Sequence, residues 1–292
     1  MNYRHAYHAG NFADVLKHAV LALVIEHLKR KPTPFRVIDT HAGAGLYSLT
    51  AREAGKTGEW QDGIGRVMSA YATPGQAGQA LHAGPELTAL LEPYLGVVRR
   101  LNSEGALALY PGSPVIADAL IRSGDHLIAN ELHPVDRESL EEALAGSPNA
   151  KVLSLDGWNA LKSLLPPRER RGVVLVDPPF EVPGELHRMV EGVKAAVRRF
   201  ASGVYLLWYP IKDQADISAL HGELGALRLP KLLAAELFIH PPDRADRLNG
   251  CGLVIVNAPF GLAETLAAAL PELARLLARS PGAHGRLLEL GA

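Results

Sequence analysis

The sequence holds one cysteine, Cys251, in 292 residues. That excludes an internal disulfide framework and a cysteine-built metal site, and it fits a reducing compartment. An excess of charge of either sign is also missing: 30 Lys and Arg face 31 Asp and Glu. No whole-molecule field therefore draws the chain to nucleic acid or to an anionic membrane, and any contact with a polyanion must come from local patches. Long apolar runs are absent as well. The longest, Ala19 to Ile25, falls far short of the roughly 20 residues needed to cross a bilayer. The opening residues, Met1 to His8, are polar and aromatic, without the basic-then-apolar pattern of a secretory leader. A soluble, cytoplasmic protein with no membrane role is expected. There is no His-Glu-x-x-His helix motif, so no metal is expected. No heptad or apolar stripe stands out, so the expectation is a monomer.

What is there is an ordinary globular composition, 48% hydrophobic and 21% charged, enough to bury the core of one large domain with a small appendage. Short runs of Val, Ile and Leu at 35–39, 126–130, 151–155, 172–176, 204–209, 233–239 and 252–257 read as strands. Several lack polar alternation, as strands buried on both faces do. Helical spacing appears at 13–30, 134–145, 184–199 and 217–227, so the order is strand-helix-strand, the pattern of a mainly parallel sheet. The polar segment 241–250 is too short for a crossover helix and predicts an antiparallel last pair. The expected fold is α/β: a seven-stranded sheet with six strands parallel and one reversed, as methyltransferase sheets are built. Residues 48–109 break the rhythm, rich in Ala, Gly and Leu with no convincing strand. They are read as an inserted small helical subdomain, which leaves 1–47 and 110–292 as the main domain. The stretch 262–279 reads as helical packing, in which Pro271 should start a second helix or kink the first.

The chemistry-bearing residues lie at strand ends. After the first strand comes Asp39-Thr40-His41-Ala42-Gly43-Ala44-Gly45, whose alternating glycines let the backbone turn sharply and approach a ligand. A tight strand-to-helix turn uses the same residues for geometry alone. The missing third glycine argues against a pyrophosphate-binding dehydrogenase. Glu131 ends the second strand, where a carboxylate can take two ribose hydroxyls, and Asp156-Gly157 follows the third, placed for an adenine amino group. Either acid alone is equally an N-cap. The most specific element is Asp177-Pro178-Pro179-Phe180. Two prolines make a stiff turn with free carbonyls. Asp177 and the Pro178 carbonyl can hold the two hydrogens of an exocyclic amine, and Phe180 can stack on the base. The alternative is a helix-starting proline pair with a capping aspartate.

The segment from Tyr3 to His18 packs aromatic, imidazole and cationic groups ahead of a helix, the mixture that nucleic-acid proteins use for bases and phosphates. Basic clusters at Arg168-Arg170-Arg171, Arg198-Arg199 and Arg244-Arg247 are either solvated surface or further RNA contacts.

Together with Pro111-Gly112-Ser113-Pro114 and Glu131-Leu132-His133-Pro134, these segments occur in an order that resembles the bacterial 23S ribosomal RNA large subunit methyltransferase J family, over nearly the whole chain. The resemblance implies a Rossmann-like methyltransferase fold with a helical insertion, and N6-methylation of one adenine in 23S rRNA using S-adenosylmethionine. It implies that His18, His41, Ser113, Glu131, Asp156, Gly157 and Asp177 surround the cofactor and that Asp177 is the catalytic acceptor. Tyr3 and Lys17 then belong to the substrate side, with Pro178 and Phe180. Where amino-methyltransferases often carry tyrosine, this chain has Phe180, which keeps a stacking face but no phenolic hydroxyl. The alternatives are a DNA adenine methyltransferase and a non-catalytic nucleic-acid-binding protein, the former because relatives have been linked to use of external DNA and the amine-holding motif does not read the sugar.

Overall fold

A computed structural model describes residues 4–71 and 84–291; Tyr3 lies outside the described residues. The chain runs α1 (Phe12–Lys29), β1 (Arg36–Asp39), β2 (Leu46–Ser48), the short helices α2 (Arg52–Thr57) and α3 (Arg66–Ala70), α4 (Pro85–Leu101), β3 (Leu109–Pro111) and α5 (Ser113–Leu120). Regular alternation follows through β4 (His126–Asn130), α6 (Pro134–Ala143), β5 (Ala150–Leu153), α7 (Gly157–Ser163), β6 (Gly172–Val176), α8 (Glu185–Arg199), β7 (Val204–Ile211) and α9 (Gln214–Ala226). Then come β8 (Leu233–Phe238), β9 (Gly250–Val256), α10 (Leu262–Leu277) and β10 (His284–Glu289).

The central sheet has the order β5-β4-β1-β6-β7-β9-β8-β10. Pairing is parallel from β5 to β7 and antiparallel for β7–β9, β9–β8 and β8–β10. Six strands thus run one way, and the pair β8–β9 is antiparallel as its short polar connection requires. The sheet has eight strands instead of the expected seven. The extra one, β10, is a half-exposed edge strand with the sequence His-Gly-Arg-Leu-Leu-Glu. Its place comes from the free backbone edge of β8 and the buried Glu236 that Arg286 reaches (2.6 Å), and its own apolar pattern is weak.

The strands are apolar on both sides because helices cover both faces. In β6, Val173 and Leu175 face the core beneath α1, α4, α5 and α10. Val174 and Val176 face the one beneath α7, α8 and α9. Each such side chain is fully buried, worth roughly 1.5–3 kcal/mol apiece, so a charge at any of the four would break the sheet's centre. Two expectations change elsewhere. Residues 48–109 were read without strands, yet their ends pair as an antiparallel ribbon, Ser48 opposite Leu109, a three-residue pairing too short to carry a period. No second helix starts at Pro271, because α10 runs through it, its other turns held by buried Leu266, Leu270, Leu273 and Leu277. Among the described residues no helix is long and apolar enough to cross a membrane.

Strand order reverses at β1. The chain steps from β1 to β4 and β5 on one side and returns to β6 and β7 on the other. The crevice at the carboxyl ends of β1 and β6 is therefore a topological switch point, where open α/β sheets bind ligands. It brings the glycine loop and the Asp-Pro-Pro-Phe turn side by side.

Candidate active site

The loop after β1 is pinned to both neighbouring strands. Thr40 donates its N–H to the Leu175 carbonyl (3.1 Å) and Ala42 to that of Asn130 (2.9 Å). Gly43 and Gly45 take φ of 63° and 79°, the left-handed region open to glycine at little cost. Gly43 then donates to the Glu131 carboxylate (2.8 Å) and Gly112 to the Gly45 carbonyl (2.7 Å). Residues far apart in sequence are thus tied into one rim, with Ser113 next to Gly112 and buried.

Glu131 also accepts the His133 N–H (2.7 Å). Burial pushes its carboxyl up, and those two N–H groups pull it back. Asp156 caps α7 by accepting from the Asn159 N–H (3.0 Å) while still facing the cavity, so the capping and site readings are both met by one side chain. His41 packs so closely on Gly157 that a Cβ there would enter its imidazole ring. Burial lowers the His41 ring to about 4, against the pull of Asp177 and Asp156, which keeps it neutral. Asp39, which ends β1, is pushed up to about 7 by burial, with the Ser113 hydroxyl opposing and Asp177 adding to the rise.

At the end of β6 the prolines start no helix: α8 begins only at Glu185. Phe180 sits at φ 51°, a costly conformation for an aromatic residue. Its ring meets Trp208 edge-on at 5.7 Å. The Lys17 ammonium, reaching in from α1, pairs with Asp177 and with Asp14 (2.9 Å). Asp14 also accepts from the Gly10 N–H (2.9 Å) and pairs with His5 Nε2 (2.9 Å). Burial would push the Asp14 carboxyl up, but His5 and Lys17 together hold it well below the usual range. Lys17 is correspondingly held well above its own, against burial. His18, lowered to about 3 by burial, is neutral and hydrogen-bonded through Nδ1 to the Tyr110 hydroxyl (2.8 Å).

The inserted stretch supports this segment. Ile64 donates to the Gly10 carbonyl (2.8 Å), Gly63 lies against Gly10 and Asn11 with no room for a Cβ, and Glu59 bonds His8 and Asn11 (3.0 Å each).

These elements enclose a cavity of about 790 Å³, within the size of small-molecule sites. Every site residue expected from the sequence lines it, Tyr3 aside: Lys17 and His18 from α1, His41, Ser113, Glu131, Asp156 with Gly157, and Asp177 to Phe180. Sequence reasoning missed, among others, the lining residues Asp14, Trp208 and Arg188 and the role of the buried Asp39. Asp14 had a signal, its i, i+3 and i, i+4 spacing to Lys17 and His18; Trp208 and Arg188 had none, and Asp39 was seen only as the start of the loop. The wall suits a cationic ligand with an aromatic ring. Gly43, Gly112 and Gly157 offer bare backbone, Glu131, Asp156 and Asp177 offer carboxylates, and Leu132 and Leu155, 45% and 37% exposed, offer apolar faces beside them. That donor set fits S-adenosylmethionine.

Comparison with known proteins agrees in kind. The family model described as ribosomal RNA large subunit methyltransferase D, RlmJ, matches residues 32–287. The chain is 40% identical to ribosomal RNA large subunit methyltransferase J of Escherichia coli (strain K12) over 94% of this chain and 92% of that one. It is 36% identical to the protein of the same name from Haemophilus influenzae, over 95% and 94%. A crystal structure of a Legionella pneumophila protein, 30% identical, superposes with a TM-score of 0.84 over 97% of this chain and 98% of that one.

Proposed function

Since the chain belongs to the ribosomal RNA large subunit methyltransferase D (RlmJ) family, we propose that it transfers a methyl group from S-adenosylmethionine to the N6 amine of one adenine in 23S rRNA. The observation that carries the reading is the stiff Asp177-Pro178 turn facing the glycine loop across one cavity, with Lys17 on the Asp177 carboxylate. S-adenosylmethionine supplies the electrophilic methyl group. His41, Ser113, Glu131, Asp156, Gly157 and Asp177 hold the cofactor, with His18 behind them, and bare glycine backbone admits it closely.

An adenine amine is a poor nucleophile because its lone pair is conjugated with the ring, so orientation must do most of the work. Asp177 and the Pro178 carbonyl accept its two hydrogens and turn the lone pair toward the methyl group. As the new N–C bond forms, positive charge grows on nitrogen, and the Asp177 carboxylate accepts the proton that leaves it. Lys17 holds that carboxylate in place. Phe180 and Trp208 offer ring faces for the base, and an unpaired or flipped adenine is the form the cavity admits at least cost. The stretch 48–109 serves as a helical subdomain that clamps the segment bearing Lys17, and Tyr3 joins Lys17 on the substrate side. An rRNA substrate places the work in the cytoplasm, and one chain suffices, since all these groups come from it.

The test is transfer of labelled methyl from S-adenosylmethionine to unmodified 23S rRNA and to genomic DNA. Label should enter rRNA as N6-methyladenine and fall about 10²–10⁴-fold in Asp177→Asn. Label in DNA alone, or in rRNA at another atom, would overturn the reading.

A further inference from the structure

The six co-directional strands all begin at the edge of the sheet opposite the cavity. Three of the six connections that enter there are basic. Lys31 precedes β1, Arg168 and Arg170 precede β6, and Arg228 and Lys231 precede β8. All five are exposed, and no side-chain hydrogen bond or ion pair engages them among the described residues. Of the acids at this edge two are already taken, while Glu289, opposite Leu233 at the start of β8, is exposed. Asp125 is held by Arg122 (2.8 Å) and the Phe35 N–H (3.1 Å), and Glu169 by Arg36 (2.8 Å) and His126 (3.3 Å). The field of the cluster reaches His27 on α1, whose ring is pushed down by burial and then by Arg30, Arg171, Lys31 and Lys231.

Two further features point to a ligand. Arg170, Arg228 and Lys231 stand at φ of 49°, 49° and 46°, where an L-residue is strained by roughly 1–2 kcal/mol and glycine is not. The backbone has no use for a long cation at those turns. Beside them, the turn after the reversed strand β9 returns to the same edge. Asn257 and Ala258 donate to the Pro230 and Lys231 carbonyls (3.1 and 3.3 Å), and two residues on stands Phe260, 83% exposed.

From β1 to β8 is four strand spacings, ~19 Å, a row long enough to follow several phosphates. A protein partner would be met by an apolar centre with a polar rim. Here cations dominate around a single ring, the mixture that grips an RNA backbone and stacks an unpaired base. Resting on the rRNA reading above, we propose that this edge is a second RNA-binding surface, which holds phosphates of the long substrate through Lys31, Arg168, Arg170, Arg228 and Lys231 and stacks one base on Phe260.

The test compares wild type, Phe260→Ser, and the quadruple variant Arg168→Gln, Arg170→Gln, Arg228→Gln, Lys231→Gln. Each is measured for binding and methylation on protein-free 23S rRNA and on a short hairpin carrying only the target adenine. The quadruple variant should raise Kd and KM on the long RNA about tenfold or more, leave kcat and the hairpin unchanged, and flatten the log–log salt slope by about 3. Phe260→Ser should weaken long-RNA binding about fivefold or more without changing the slope. Unchanged binding of the long RNA, or equal weakening on both RNAs, would overturn the proposal. If wild type methylates no rRNA the functional reading fails, while binding of the long RNA still decides this one.

Discussion

Replacing Lys17 with methionine removes the cation shared by two carboxylates. Asp14 would be left 1% exposed, still bound by Gly10 and His5 but without its closest full charge. Deleting one partner of a buried pair costs about 3–5 kcal/mol, because the remaining charge stays out of water. Asp177, with 17% of its side chain exposed, can regain some hydration, so the lower end applies: a loss of about 3 kcal/mol in urea unfolding at pH 7. The pH dependence should move too. A depressed carboxyl gives stability that is present above its unfolded pKa and is lost as pH falls through its folded one. Without Lys17 the folded value of Asp14 rises, so acid unfolding of the variant begins at higher pH. Adding Asp14→Asn should recover part of the loss, since the stranded charge is gone. A cost under about 1 kcal/mol, or a double variant no more stable than Lys17→Met, would refute the account of this network. Methyl transfer should fall in the same variant, because the proposed catalytic carboxylate of Asp177 loses its Lys17 partner.

Gly157→Ala puts a methyl group into the His41 ring; titration calorimetry should show S-adenosylmethionine binding at least about tenfold weaker while far-ultraviolet circular dichroism is unchanged, and wild-type affinity would sink the cradle. Asp39→Asn removes a carboxyl raised to about 7 by burial; such a group stabilises fully below its unfolded pKa and loses that as pH rises toward 7, so the variant should gain about 2–3 kcal/mol on wild type between pH 5 and 7.5. A flat difference across that range would show Asp39 ionised throughout.

Much of the fold was legible because each strand's own residues state its environment. Val173 to Val176 are apolar on both sides, which only a doubly covered strand requires, and the short link 241–250 allowed only a reversed pair. What could not be read is what depends on another strand's edge. β10 and the ribbon β2–β3 exist because backbone donors and acceptors elsewhere needed partners, and half-exposed strands of three to six residues carry almost no period of their own. Pro271 starts no second helix for a related reason: the local penalty of a missing N–H is set against four buried leucines of the same helix, and the burial wins.

The site divides along the same line. Residues whose chemistry is written in the backbone around them, such as Gly43 before a sharp turn or Asp177 before two prolines, announce themselves in one dimension. Residues that act by filling a neighbour's space do not. Trp208 looks like any core aromatic in a strand until Phe180, held at positive φ, meets it edge-on, and Asp39 looks like a loop's first residue until burial beside Asp177 raises its carboxyl. Asp14 lies between these cases. Its spacing to Lys17 and His18 is a visible helical pair, but only the folded segment, with His5 and the Gly10 N–H turned onto the same carboxylate, makes it the anchor that aims Lys17 at Asp177. The strand-end motif thus sets which groups face the cavity, and the N-terminal segment, clamped by Glu59, Gly63 and Ile64, sets where Lys17 meets the Asp177 carboxylate.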